Sequence, residues 1–215
     1  MKFLYCASGA NQPAVKEFEV IADKEINEGQ VVCVKDGVID GTVKDGVVLG
    51  VCAETHTGKS DILNRRANGN RLRVNITPDA VYAAKAKKIT AASGCSATAI
   101  KCSDSTFSAS VKSGSLVLCE KASGSTNTDE IGAIRKISAT AVSSGTVTFT
   151  VDEGAVACEG DVYEFYPELG DEMYLDAEGF GYAAVNALTD VKLKTVGADT
   201  KKSEVHFKLL DLLFA

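Results

Sequence analysis

The residues with the sharpest claim to chemistry are AETHTGKS, Ala53 to Ser60. Their spacing is that of a phosphate-binding loop with Ala in place of the first Gly, and an apolar run precedes them. In such a loop backbone N–H groups cradle the phosphates, a lysine (here Lys59) reaches the terminal ones and a hydroxyl (here Ser60) holds Mg²⁺. The surroundings argue against that use. The next residues, DILNRRANGN, meet an Asn-Gly step within about two helical turns, too soon for a helix that could aim its dipole at a phosphate. No apolar strand ending in Asp follows to supply a second Mg²⁺ ligand, and the strand–helix alternation of nucleotide-binding folds is missing. The octet is expected to be a polar turn between strands.

The other reactive residue types are scattered. The two histidines, His56 in a polar loop and His206 in an alternating strand, have no third ligand near them, so no metal site is expected. Seven cysteines cannot all pair within one chain, and none forms C-x-x-C. Most sit in apolar runs (VVCV, GVCAE, LVLCEK, AVACEG) and read as buried, reduced thiols, which points to assembly in a reducing cytoplasm. Acidic residues fall at turns, where solvation explains them. No catalytic constellation stands out and no cofactor is implied, so the expectation is a protein that is not an enzyme. A net charge of −6 disfavours non-specific nucleic-acid binding, which needs a basic face. The opening MKFLYCASGANQ has too short an apolar run for a signal peptide, and no segment has the length of a membrane span.

The elements that remain are β-strands. Between Lys24 and Glu54 the apolar runs Val31–Val34 and Val47–Ala53 are set against Asp36–Gly37 and Asp45–Gly46, steps that tolerate the positive φ of tight hairpin turns. Those runs do not alternate cleanly, so both faces of their strands are expected to be covered. Phe18–Ala22 and Leu72–Ile76 read as further strands. Thr77–Lys88 is ambiguous: Pro78 and an alanine-rich body favour a helix, whereas Val81, Ala83 and Lys85 could line one face of a strand. In residues 90–150, 22 of 61 are Ser or Thr, a composition that suits the polar faces of sheets. There TVTFTV (Thr146–Val151) alternates strictly, with SLVLCEK and EIGAIRKISAT beside it, enough for a five- or six-stranded barrel. The opening grammar then returns in EGDVYEF (Glu159–Phe165) and GDEMYLDAEGFGYA (Gly170–Ala183), and EVHFKLLDLLF (Glu204–Phe214) is the last strand.

Taken together, Gly29-Gln30-Val31, the two Asp-Gly turns, GVCAE (Gly50–Glu54) and DAVYAAK (Asp79–Lys85) resemble the capsid decoration, or cement, proteins of tailed bacteriophages. The resemblance implies an all-β chain: a β-tulip domain from residues 17–88 and 167–215, with a second β-barrel inserted at 89–166. It favours strand for Asp79–Lys85. It implies a non-enzymatic virion protein, made in the host cytoplasm, that binds the outer surface of the capsid. Its partners would be the major capsid protein and itself, as a homotrimer, with no nucleic acid, membrane or cofactor. A head-fibre base or tail component recognising a host or glycan is the alternative, and a nucleotide-binding enzyme using Ala53–Ser60 comes third.

Residues 1–16 lack periodicity and read as an extended N-terminal arm. Phe3, Leu4 and Tyr5 place three consecutive large apolar side chains on it. They are the candidate contacts to the capsid or to a neighbouring subunit, because apolar side chains left in water invite aggregation.

Overall fold

The computed structural model describes residues 1–9, 12–20, 24–36, 38–39, 47–57, 71–176, 181–183, 191–210 and 212–213. Among these the chain is all β, with no helix. The N-terminal segment is β1 (Lys2–Cys6), followed by β2 (Val15–Glu19), β3 (Glu25–Ile26), β4 (Val31–Lys35), β5 (Val38–Ile39), β6 (Val47–Cys52), β7 (His56–Thr57) and β8 (Arg71–Asn75). Strands β4 and β5 form the hairpin that the Asp36–Gly37 step predicts: Lys35 faces Val38, and Asp36 adopts φ +52° at the turn. The second expected turn, Asp45–Gly46, lies outside the described residues, as do Ile21 and Ala22 of the expected Phe18–Ala22 strand.

Five of these strands make an antiparallel sheet in the order β2-β8-β6-β4-β5. A parallel bridge between Val20 and Ile39 joins its two ends, so the sheet closes on a small core of Ile26, Val32, Ile39, Leu49, Leu72 and Val74. Val31, Cys33, Val48 and Val51 point the other way, into the main core. The broken alternation of these runs therefore reflects strands buried on both faces. Gly50 makes the close approach of β6 to β8 possible, since a Cβ there would lie 1.9 Å from the Asn75 carbonyl oxygen.

A second sheet covers that outer face. It contains β9 (Ala80–Lys85), β16 (Glu172–Leu175), β17 (Tyr182–Ala183), β18 (Lys192–Asp199) and β19 (Glu204–Leu209), in the order β1-β9-β19-β18-β16-β17. The ambiguous Thr77–Lys88 segment is thus strand: Tyr82 and Ala84 face the core while Val81 and Ala83 face outward. Burial on both faces of a sheet outweighs the alanines' helix preference. The extended arm expected for residues 1–16 is strand in part as well. Lys2–Cys6 pairs with β9, and Val15 and Lys16 open β2. The reason is local. Tyr82 offers Phe3 an edge-on ring contact at a centroid distance of 6.1 Å, and Cys6 is buried against the chain's own core.

The third sheet lies wholly between Lys87 and Tyr166. It comprises β10 (Lys87–Thr90), β11 (Ala99–Cys102), β12 (Ser115–Glu120), β13 (Ile134–Ser143), β14 (Thr146–Val151) and β15 (Val162–Tyr166), in the order β10-β15-β12-β13-β14-β11. Ala91 bridges Cys102, and the Ala92 N–H donates to the Lys101 carbonyl at 2.7 Å, closing the sheet into a six-stranded barrel. Val147, Phe149 and Val151 point inward as their alternation predicts. Phe107, from the loop after β11, meets Phe149 and Phe165 edge-on at 5.1 and 5.0 Å.

The chain passes from the second sheet into this barrel at Ala86 and leaves it after Tyr166. Tyr182 ties the two crossings together: its hydroxyl donates to the Phe165 carbonyl and accepts from the Lys87 N–H at 3.1 Å. Its ring stands 6.3 Å from Phe165 and 4.9 Å from Phe207, linking the aromatic groups of barrel and sheet. Tyr182→Phe removes both hydrogen bonds in a buried place and is expected to cost about 1–3 kcal/mol. Amide exchange at Lys87 should rise with it. An unchanged melting temperature together with unchanged exchange at Lys87 would show that the hydroxyl does not couple the two sheets.

Candidate functional site

The outward face of the β1-β9-β19-β18-β16-β17 sheet gathers residues from distant parts of the chain. Antiparallel register aligns Tyr5, Val81, Lys208, Lys194 and Glu172 in one row across five strands. Lys2, Ala83, His206 and Gly197 form a second row, and Lys192 lies opposite Tyr174 in a third. Their neighbours in sequence (Phe3, Tyr82, Phe207, Met173) point into the core, because side chains alternate along a strand. Val81 and Ala83 are buried at the middle of the face. Lys2, Tyr5, Lys194 and Glu172 are exposed, and Lys192, Lys208, His206 and Tyr174 are half-buried.

Its charge is mixed: a further row aligns Lys85, Glu204 and Asp199, with Lys85 3.6 Å from Glu204. Glu172 sits 3.7 Å from Lys192, while Lys194 and Lys208 stand directly opposite each other on paired strands, like charges in the arrangement that destabilises a sheet. Asp79, at the rim, has its carboxyl held below the usual range, chiefly by hydrogen bonds from Ser8 and in smaller part by Lys208.

Of the three residues expected to make contacts, the structure presents one outward. Phe3 is half-buried against Tyr82, Leu4 falls in the β-bulge between Phe3 and Tyr5, and Tyr5, 50% exposed, stands at the end of the lysine row. On the core side of β1 is a cleft of about 410 Å³ bordered by Met1, Phe3, Gly29, Cys52, Asn75 and Tyr82. A second cleft, of about 320 Å³, lies between the loop after β11 and β16 and is bordered by Ser110, Lys112, Ser113, Asp171 and Tyr174.

No family model, curated protein or solved structure matches this chain.

The phosphate-loop candidate is only half visible, Lys59 and Ser60 lying outside the described residues. The visible half is bound up in sheet structure. The Ala53 N–H donates to the Arg73 carbonyl at 2.9 Å, the Thr55 hydroxyl accepts from the Glu28 N–H at 3.0 Å, and His56–Thr57 pairs with Glu25–Ile26. His56 Nδ1 lies 2.9 Å from the Lys24 carbonyl, whereas His206 stands on the outward face of the other sheet. No group of three or more metal-ligating side chains forms among the described residues.

None of the seven cysteines is in a disulfide, and Cys6, Cys33, Cys52 and Cys102 are the buried ones. Burial pushes Cys33 up to about 11 and Cys52 and Cys102 up to about 12. Cys158 departs from the expected pattern of inert, buried cysteines. Hydrogen bonds from Ser125 and from the Thr126 hydroxyl and N–H hold its thiol below the ordinary value.

Sequence reasoning also missed a buried polar cluster in the barrel. Asp161, fully buried, accepts from the Ala122 N–H and Asn127 Nδ2 at 2.9 Å and from the Cys158 N–H at 3.0 Å. Asn127 also donates to the Tyr163 hydroxyl at 3.1 Å. Arg135, 5% exposed, pairs with Asp129 and donates to the Ala155 carbonyl at 3.1 Å, lying where any side chain at Gly154 would have to go. Each polar group here is satisfied by its neighbours, which makes the cluster a structural brace rather than a reaction centre.

Proposed function

We propose that this chain is a non-enzymatic structural protein of a tailed bacteriophage that binds the outer surface of the capsid and stabilises it, acting as a homotrimer beside the major capsid protein. The supporting observation is the outward face of the six-stranded sheet, which carries lysines and carboxylates in register rows, with Tyr5 at the sheet's end strand. A cement protein works by surface contact, and a sheet face backed by a packed core supplies a wide, rigid platform. The arrangement of residues 17–88 and 167–215 around an inserted barrel at 89–166 is part of the same proposal, supported by the two chain crossings beside Ala86 and Pro167.

One feature favours the alternative role of a virion part that recognises a host or glycan. The 320 Å³ cleft offers Ser110, Ser113, Asp171 and Tyr174, groups that could meet sugar hydroxyls. Location separates the two roles. Mixed with particles of the virus that encodes it, the protein should co-sediment with DNA-filled heads. A particle map should place it on the outer shell around three-fold positions. Density at a fibre base or tail instead would overturn the decoration role.

A further inference from the structure

The cleft on the core side of β1, about 410 Å³ in volume, is bordered by apolar Phe3, Val51 and Cys52 and by two polar side chains, Asn75 and Tyr82. Those two are almost wholly enclosed, Tyr82 being 2% exposed and Asn75 4%. The Asn75 side-chain oxygen accepts from the Thr77 N–H at 3.1 Å, which fixes the other end of the amide as the nitrogen. Among the described residues that nitrogen, Nδ2, has no acceptor, and the Tyr82 hydroxyl has no hydrogen-bond partner. Burial, and in smaller part the nearby Cys6 thiol, raise the Tyr82 pKa, so the hydroxyl stays protonated. Thr140 and Thr195 also carry unpaired hydroxyls, but theirs are sealed in the interior and do not border the cleft. A buried polar group without a hydrogen bond is destabilising, and folded proteins leave few of them. Two at one cleft mark a place where the polar atoms of a ligand would complete the set.

We propose that this cleft is a binding site for a small neutral amide with an apolar body. Each part of the ligand answers a group on the cleft. Asn75 Nδ2 can only donate, so the ligand must offer an acceptor oxygen. The Tyr82 hydroxyl donates or accepts, so it can meet either end of a carboxamide. The charged residues at the border, Lys2 and Glu28, are exposed and opposite in sign, which favours no net charge on the ligand. Phe3, Val51 and Cys52 take the apolar body. The site lies on the other side of β1 from the face proposed to meet the shell, so it stands or falls independently of the decoration role.

The test titrates the full chain with benzamide, benzoate and toluene, each a single ring, and follows the backbone amide signals of Phe3, Cys52 and Asn75 by NMR. Benzamide should shift these signals saturably, with an affinity on the order of millimolar or tighter. Toluene, which lacks the polar atoms, and benzoate, which brings a charge, should bind at least about fivefold more weakly. Tyr82→Phe should weaken benzamide by about fivefold and leave toluene unchanged, because it removes the hydroxyl and nothing else. The same variant should melt no lower than the wild type, since the hydroxyl it loses has no partner in the protein. Asn75→Asp keeps an acceptor for the Thr77 N–H but turns the donor into an acceptor, and should abolish benzamide binding. Should Asn75→Asp fail to fold, the Tyr82→Phe comparison decides alone. The proposal is overturned if benzamide gives no saturable shift, if toluene or benzoate binds as tightly as benzamide, or if either folded variant binds benzamide like the wild type. A Tyr82→Phe melting temperature lowered by more than about 4 °C also overturns it, because the hydroxyl would then be bracing the fold.

Discussion

Asp161→Asn is expected to lower the melting temperature at pH 7 by about 6–12 °C, equivalent to about 3 kcal/mol. The carboxylate is fully buried and accepts from the Ala122 N–H, the Cys158 N–H and Asn127 Nδ2. An asparagine in its place points an NH₂ group at one or more of those donors and leaves them unsatisfied. The pH dependence should change too. Burial raises the Asp161 pKa, but the hydrogen bonds from Ala122, Asn127, Cys158 and Ser125 outweigh it, and the net result lies below the ordinary carboxylate value. A pKa depressed in the folded state contributes stability above the unfolded value, near 3.9, and loses it as pH falls through the folded value. The wild type should therefore weaken below about pH 4, and the variant, starting lower, should weaken less steeply over the same range. Circular dichroism melts from neutral to acid pH, with amide exchange at Ala122 and Cys158, would measure this. Superimposable profiles for the two proteins would show that the carboxylate does not brace the barrel.

The parts of the fold legible in the sequence were those specified by neighbouring residues. Asp36–Gly37 announces its turn through backbone conformation, and Thr146–Val151 announces its strand through period-two alternation. The double burial of β4 and β6 showed as broken alternation. What stayed hidden depends on pairing at a distance. Strand β11 is only Ala99–Cys102, too short to carry a period, and it completes the barrel through a bridge to Ala91. Strand β18 carries the alternation Lys192, Leu193, Lys194, Thr195, but a bulge at Thr195 to Gly197 breaks it. The candidate face was invisible for the same reason. Tyr5, Val81, Lys208, Lys194 and Glu172 become neighbours only through four strand registers, none of which local sequence specifies. The one available signal was polar residues on alternate positions, KLK at 192–194 and EVHFK at 204–208. Phe3–Tyr5 stood out as an apolar cluster, but three consecutive residues cannot share one face of a strand. Which side each would take depended on Tyr82, nearly eighty positions away.

Deleting residues 2–16 is expected to lower the melting temperature of the free protein by about 8–16 °C. The deletion strips β1 from β9, uncovers Tyr82, and removes Cys6 and the half-buried Phe3 from the core. Lost burial of about 4 kcal/mol gives a shift of that size in a chain of this length. Two point variants divide the structural part of β1 from the part offered to a partner. Phe3→Ala removes the ring set against Tyr82 and should cost about 2 kcal/mol of stability, with particle binding by the folded fraction unchanged. Tyr5→Ala acts on a side chain half in solvent on the outward face, so its effect on stability should stay within about 0.5 kcal/mol. If that face meets the shell, Tyr5→Ala should nonetheless weaken co-sedimentation with particles, and more so in the Lys208→Glu background, where the adjoining charge is reversed. The opposite pattern, in which truncation leaves the melting temperature intact while binding is lost, would mean that β1 leaves its own sheet to lie across a neighbour. Pairing of Lys2–Cys6 to β9 argues for the first pattern: a strand that already has both a backbone ladder and a core contact gains little by exchanging them for the same interactions elsewhere.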